Sequence, residues 1–386
     1  MVRYFYSFAI VVFLSVCLFS KTSLAGWKIQ QITNNDYHDR DPVLTDSLIG
    51  WLGRLDATDD VFAYDGTSTL RLTNNGIVDQ DLSGSAGYLA WIDRGTPDNV
   101  YVYDGVKTTQ VTTTGINFRP MVSGHYVVFT RSVNDIFIYD LSSSSSVEHQ
   151  IVAGASINEH SPYINGNWVS FTTNEGDSEI YYHDIALDTT TKLTNNALSD
   201  YESAINDNYI AYVHYDGNDR EVMVYDRATP ETRQLTDDNL SSSNVTLSDS
   251  NVAYVTGQSS NDAVLSLYDA VTKSTVEVAN NVSFYYDERP SMDGDFLVYM
   301  GWDGNDWEIY VYQISSGVKT QLTNNNLDDR YPRVHKSKIV WQQNDNINPK
   351  DGDNEIMLAI QTHESSIFFP IKVDNGKTTI IHLPGN

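Results

Sequence analysis

Four short segments, VFAYD at 61–65, VYVYD at 100–104, IFIYD at 136–140 and IYVYQ at 309–313, are variants of one pattern. Each follows an apolar stretch ending in an aromatic and precedes a threonine-rich run ending in something like QLTNN. The unit recurs about every 40 residues, the length of one four-stranded propeller blade. A unit of that kind cannot bury its own faces and must stack on copies of itself, so the period fixes the fold class before any single residue is considered.

Counting sharpens the reading. Eight segments alternate as second strands and place Trp51, Trp91, Phe129, Phe171, Tyr212, Tyr254, Tyr299 and Trp341 at equivalent positions. Eight read as third strands, beginning at Val61, Val100, Ile136, Ile180, Val222, Val264, Ile309 and Ile356. Their period of two is that of half-buried strands, and no stretch has a helical period. Only seven fourth strands follow, ending near Thr73, Thr112, Val152, Thr194, Thr236, Val278 and Thr323. An unattached copy stands at 27–33, with Thr33 followed by Asn34-Asn35. The chain is therefore expected to be all-β, an eight-bladed propeller over 26–364 in which this N-terminal strand completes the last blade and leaves no open edge. A seven-bladed ring is the alternative, if the weak unit at 236–278 merges or the last unit lies outside. In the tail, 365–386, Asn375-Gly376 between two alternating runs signals a hairpin, read as an added element or a docking tail.

The combination of QLTNN, D-x-x-P, an apolar-aromatic strand and D-G-N-D-x-E-I-Y-V-Y resembles the TolB-like family of propeller repeats. Residues 287–325 carry it most fully: Asp287-Glu288-Arg289-Pro290, Leu297-Val298-Tyr299, Asp303-Gly304-Asn305-Asp306-Trp307-Glu308-Ile309-Tyr310 and Gln321-Leu322-Thr323-Asn324-Asn325. The resemblance spans nearly the whole mature chain. It implies a propeller of the kind used in periplasmic adaptors, surface proteins and peptidase gating domains. TolB itself has six blades behind a separate α/β domain, whereas here the repeats begin directly after the leader, as an isolated propeller.

Residues 1–25 read as that leader: Arg3 as the basic start, an apolar run over 4–19, and Ser23-Leu24-Ala25 with small residues where a signal peptidase cuts. The run is short for a membrane span. Cleavage would remove Cys17, the single cysteine, so the exported protein, periplasmic or extracellular, has no thiol chemistry. It would also remove two of 24 basic residues and none of 51 acids, giving 22 − 51 = −29. Such a balance disfavours nucleic acid and anionic membranes as partners, and leaves cations, peptides and neutral sugars. No membrane insertion is expected after cleavage, and the chain is expected to be a monomer.

Two loop sets open on one face of such a ring. The first, joining outer to next inner strand, offers Asp39, Arg40, Phe118, Arg119, His160, Tyr201, Arg289, Arg330 and Tyr331, a mix of ring faces and charges suited to a peptide or sugar. Asp and Pro there also build turns, with basic residues pairing to neighbouring carboxylates. The second set holds acidic turns: 175–179, 216–221, 303–308 and 351–355. Oxygen ligands around a glycine turn suit calcium, which makes Asp303, Asp306 and Glu308 candidate ligands, although Asp-Gly-Asn is also ordinary hairpin chemistry. Trp302 and Trp307 flank the same turn as candidate ligand contacts. The aspartates of the Tyr-Asp pairs at 65, 104, 140, 226 and 269 are read as turn caps.

No G-x-S-x-G elbow, H-E-x-x-H, phosphate loop or cysteine nucleophile is present. The expected function is a non-enzymatic binding or scaffold propeller that engages a peptide or protein through an acidic, aromatic loop face, without cofactor apart from the calcium candidate. The alternative is a polysaccharide lyase or glycosidase using His160, Arg119, Arg289 or Arg330.

Overall fold

The computed structural model describes residues 26–55, 57–132, 135–143, 145–151, 158–260, 262–285, 288–344 and 353–362, together with two strands of the tail. Among them the alternating segments become strands throughout, and none forms an α-helix. They assemble into eight four-stranded antiparallel sheets arranged as a ring of blades. Seven sheets take their strands in chain order from inner to outer, for example His38–Leu44, Ile49–Leu55, Thr58–Tyr64 and Thr69–Arg71 in blade 1. The eighth breaks this order. Its inner three strands are Asp329–His335, Lys338–Asn344 and Asn354–Thr362, and the outer position is filled by Gly26–Gln31.

Ring closure by the N-terminal strand is thus observed. Ile32 N donates to Ile356 O at 2.8 Å, and Ile356 N donates to Thr33 Oγ1 at 2.8 Å, bonds that span more than 320 positions of chain. The seven-bladed alternative falls, because the weak unit is a full blade: Ser242–Ser248, Asn251–Thr256, Val264–Asp269 and Ser274–Asn280. In blade 3 the outer strand is His149–Ile151, and the expected end at Val152 lies outside the described residues.

The second-strand aromatics lie at the heart of each blade. Trp51, Trp91, Phe129, Phe171 and Trp341 are all but fully buried, with Tyr212, Tyr254 and Tyr299 close behind. In five blades the ring stacks on the residue directly opposite in the third strand: Trp51 on Phe62, Trp91 on Tyr101, Phe129 on Phe137, Phe171 on Tyr181 and Tyr299 on Tyr310, at 5.5–6.0 Å. Such pairs add to the burial of aliphatic residues from adjacent blades and fix strand register.

Apart from the strand ends Gly26, Trp27, Gln361 and Thr362, all of this belongs to one compact unit, Lys28–Ile360. In the remaining unit, Ile371–Asp374 pairs antiparallel with Lys377–Ile380, the expected hairpin strands. The turn residues Asn375 and Gly376, the leader 1–25 and the loop 345–352 lie outside the described residues.

Candidate functional site

The recurring polar residues do two separate jobs, and the first is internal. The threonine at the equivalent place in five repeats accepts an N–H of the third strand: Thr73 from Val61, Thr112 from Val100, Thr194 from Ile180, Thr236 from Val222 and Thr323 from Ile309, all at 2.8–2.9 Å. The second asparagine ties the same corner to the next blade. Asn35, Asn196 and Asn325 donate Nδ2 to Asp39, Asp200 and Asp329 at 2.7–2.8 Å, and their backbone N–H groups donate to Glu355, Glu179 and Glu308. Trp51 and Trp341 cap the outermost of these links by donating Nε1 to Asp39 and Asp329. These buried carboxylates are hydrogen-bonded wiring. Asp39, expected on the ligand face, is 1% exposed and sits inside the wall; burial pushes its carboxyl up to about 6 against the Asn35, Thr33 and Trp51 bonds.

The second job starts two residues later. Seven of the eight inner strands break register at the same place, between Arg40 and Val43 in blade 1 and between Arg330 and Arg333 in blade 8. The break puts a non-glycine residue in the left-handed region: Asp41, Asp81, Arg119, Ser161, Glu202, Asn244 and Tyr331, with φ between 47° and 58°. That conformation costs about 1–2 kcal/mol per residue. A proline follows in four of the seven and disfavours the right-handed alternative. In several blades a neighbour also holds the bulge by its N–H: Arg119 N donates to Asp81 Oδ2 at 3.1 Å, Asn244 N to Glu202 Oε2 at 3.0 Å, and Asp41 N to Gln342 Oε1 at 3.2 Å. The first set of candidates therefore lies on bulged inner strands rather than in loops. Arg289 stands at the matching place in blade 7, just before the inner strand Ser291–Asp293, so seven bulges and Arg289 make an eight-position ring at one end of the inner strands.

This ring is not acidic, contrary to expectation. At the bulge and the residue before it stand Arg40, Arg119, Arg289 and Arg330 against Asp41, Asp81, Glu202 and Glu288. Arg40 bonds Asp41 and lies 3.1 Å from Asp59. Arg330 lies 2.6 Å from Glu288 and 3.2 Å from Asp328, and those carboxylates hold its guanidinium above its ordinary range. Arg119 is exposed and makes no ion pair among the described residues. Beside it His160, 3.2 Å from Ser161 Oγ, is held below its ordinary 6.5 by burial and then by the Arg119 charge, and is neutral at pH 7. Phe118 and Tyr201 carry guanidinium groups over their faces, Arg94 at 5.7 Å and Arg220 at 5.2 Å. Tyr331 and Arg289 are half-buried in the same ring.

The acidic turns sit on the outer side of this face. Trp302 and Trp307 are opposite each other across the blade 7 turn and pack edge to face at 5.5 Å, Trp302 with 41% of its surface exposed. Arg330 lies 5.8 Å from the Trp307 ring, so the tryptophan pair borders the ring of bulges. Between them, ligand atoms of Asp303, Asp306 and Glu308 all lie within 4.8 Å of one another, and those of Asp216, Asp219 and Glu221 do the same in blade 5. Gly304, at φ 111°, makes the turn that brings Asp306 back to Asp303. The Tyr-Asp aspartates are caps as expected; Asp65 Oδ1 accepts the Thr67 and Ser68 N–H groups at 2.8 Å, which pulls its carboxyl down.

Asp81 and Asn244 escaped sequence reading because Leu82 and Val245 replace the proline that marked the other blades. Counting back from the second-strand aromatic would have found them.

No family model matches this chain, and no curated protein does. Among solved structures it is similar to an oligogalacturonate lyase in complex with manganese, at TM-score 0.52 and 13% identity over 88% of this chain and 98% of that one. A puromycin-hydrolyzing peptidase from Mycobacterium tuberculosis gives 0.54 and 12% over 81% of this chain, but only 59% of the peptidase is spanned. TolB from Acinetobacter baumannii gives 0.42 and 16% over 82% and 79% of the two chains, a likeness on which no argument is built. At these identities the comparisons establish the propeller fold.

Proposed function

We propose that this chain is an exported, monomeric, non-enzymatic propeller that holds a peptide or protein segment across its ring of bulges. One observation supports this most. The polar residues of the repeat are consumed inside the walls, while the positions at the bulges and at Arg289 vary in kind around the ring: Asp41, Asp81, Arg119, Ser161, Glu202, Arg289 and Tyr331, with Asn244 alone of them buried. A rigid repeated frame presenting varied side chains of both signs, with aromatic faces among them, suits a ligand that itself carries both signs. A segment of polypeptide is such a ligand.

A lyase acting on an acidic sugar is the second reading. It is favoured by Arg119, exposed and free of an acidic partner among the described residues, beside a neutral His160 placed to take a proton. Against it, Arg330 is already neutralised by Glu288 and Asp328, and four carboxylates share the ring with any polyuronate.

A displayed random-peptide library selected on the protein separates the two. Binding peptides are expected, and their affinity should fall at least tenfold on Arg119→Glu at unchanged melting temperature. Absence of any selected peptide, together with turnover of a uronate polymer that Arg119→Ala abolishes, would establish the lyase instead.

A further inference from the structure

The eight blades are natural controls for one another, and one comparison among them singles out two places. Near the head of five third strands a carboxylate is buried at the corner that the repeat's threonine completes: Asp60, Glu179, Glu221, Glu308 and Glu355. In blades 1 and 4 the residue just before the L-T pair is basic and supplies the countercharge. Arg71 pairs with Asp60, and Lys192 Nζ lies 3.0 Å from Glu175 and 3.7 Å from Glu179. In blades 5 and 7 that residue is neutral, Gln234 or Gln321, and no side-chain cation takes its place among the described residues. Each blade instead adds two more carboxylates to the buried one: Asp216 and Asp219 beside Glu221, Asp303 and Asp306 beside Glu308.

The hydrogen bonding of these six groups follows one scheme. Asp303 Oδ1 accepts the N–H groups of Asn305 and Asp306, and Asp216 Oδ1 those of Asn218 and Asp219, which leaves the second oxygen of each for another partner. Glu308 Oε1 takes Asn325 N–H at 2.6 Å and Glu221 Oε1 takes Asp238 N–H, while Oε2 of both, in fully buried side chains, makes no hydrogen bond. Asp306 is 6% exposed and neither of its oxygens is hydrogen-bonded; Asp219 is 8% exposed with Oδ1 unbonded. Buried carboxylate oxygens without donors are rare because each forfeits its solvation without replacement. Here they converge on one point from three side chains, twice, in blades 5 and 7, where glutamine stands in place of the lysine or arginine.

We infer that blades 5 and 7 each bind a hard divalent cation of the calcium type, held by Asp216, Asp219 and Glu221 and by Asp303, Asp306 and Glu308, in the role that Arg71 and Lys192 play in blades 1 and 4. Only oxygen is offered, with no imidazole or thiolate, and three carboxylates with room for water match calcium's variable shell of six to eight oxygens. The cation would fix the turn that Trp302 and Trp307 flank.

The test uses the chelator-treated full chain and calcium chloride alone, read by isothermal titration and by melting temperature. Wild type should bind calcium and melt several degrees higher at saturation. Asp303→Asn with Asp306→Asn should lose one equivalent, Asp216→Asn with Asp219→Asn another. Gln321→Lys and Gln234→Lys, which copy Lys192, should each also lose one equivalent while raising the melting temperature of the calcium-free protein. A wild-type melting temperature unmoved by millimolar calcium would overturn the inference. So would a calcium stoichiometry that none of these four variants lowers. The lysine variants keep the test sound should the asparagine variants fold poorly.

Discussion

Replacing Thr33 by valine tests ring closure at a single atom. The hydroxyl accepts Ile356 N–H at 2.8 Å in a site only 6% exposed and lies within reach of the Asp39 carboxylate. Valine keeps the shape and removes both bonds. A buried N–H left without acceptor costs about 1–3 kcal/mol, and the lost bond to the carboxylate adds about 1 kcal/mol, so the sum is roughly 2–4 kcal/mol. Unfolding entropy for a unit of this length is roughly 0.7 kcal/mol per kelvin, which converts the loss to about 3–6 °C in melting temperature. Blade 7 supplies the control: Thr323 accepts Ile309 N–H at 2.8 Å and is also 6% exposed, but its strand is continuous with its blade. Thr33→Val and Thr323→Val should therefore lower the melting temperature equally in calorimetry. A Thr323→Val loss in this range with no Thr33→Val loss would refute the account, since it would mean that the N-terminal strand adds nothing to the last blade in solution.

Three further outcomes are expected. His335 lies 2.7 Å from Asp46 and 3.2 Å from Asp293, joining blades 8, 1 and 7; these bonds raise its pKa and, with Lys336, lower both carboxyls. The histidine contribution is full below its unfolded 6.5 and fades as pH rises through the raised folded value, whereas the carboxylate contributions fade as pH falls below 3.8. The melting-temperature gap between wild type and His335→Gln should accordingly be widest near pH 5–6 and narrow as pH rises above 6.5; a gap that does not narrow with rising pH would contradict the pairing. Burial pushes Asp79 up to about 7, so its ionisation opposes folding as pH rises from 3.8 through that value. The stability of Asp79→Asn relative to wild type should therefore rise between about pH 4 and 7 and level off above, as blade 3 already places Asn117 there; a relative loss growing over that range would show that the charge is needed. Arg330→Ala strips the countercharge from Glu288, which is 6% exposed, and should cost about 1–3 kcal/mol after allowing for the exposure of Arg330. Arg119→Ala, with no ion pair among the described residues to lose, should cost under about 0.5 kcal/mol in the same denaturant titration. Equal losses would place Arg119 in the frame rather than on the displayed surface.

The blades were legible because their signal is local. Alternation over five or six residues marks a strand, and the count of second, third and fourth strands left one copy at 27–33 to close the ring. The internal wiring was half legible. Thr73 and Asn35 stand out as repeated residue types, but their partners Val61 and Glu355 lie twelve and 320 positions away and cannot be named from spacing. The ligand ring was misread by one register step. Asp39-Arg40-Asp41-Pro42 looks like a turn with its acid outward; the bulge after Arg40 changes which residues face the wall, so that Asp39 enters it and Asp41 is displayed. A bulge of this kind is set by how the blade meets its neighbour, as the Asp81–Arg119 and Glu202–Asn244 bonds show, and no single repeat contains that information.

The net charge of −27 also takes on a different meaning. Sixteen of the described acidic side chains are buried, from Asp39 and Asp79 on inner strands to Glu179, Glu221 and Glu308 on third strands. Acidity that looks like a partner-selecting surface is in good part the interior of the blades, where backbone N–H groups, asparagines and tryptophans stand in for solvent. That accounts for a ring of bulges with as many arginines as acids on a strongly acidic chain. It also explains why countercharge matters blade by blade: net charge can be screened by salt, but a carboxylate inside a wall answers only to what touches it. Blades 1 and 4 answer with Arg71 and Lys192. Blades 5 and 7, built on the same plan with glutamine in that place, are left with three converging carboxylates each, and a divalent cation is the partner that completes the plan there.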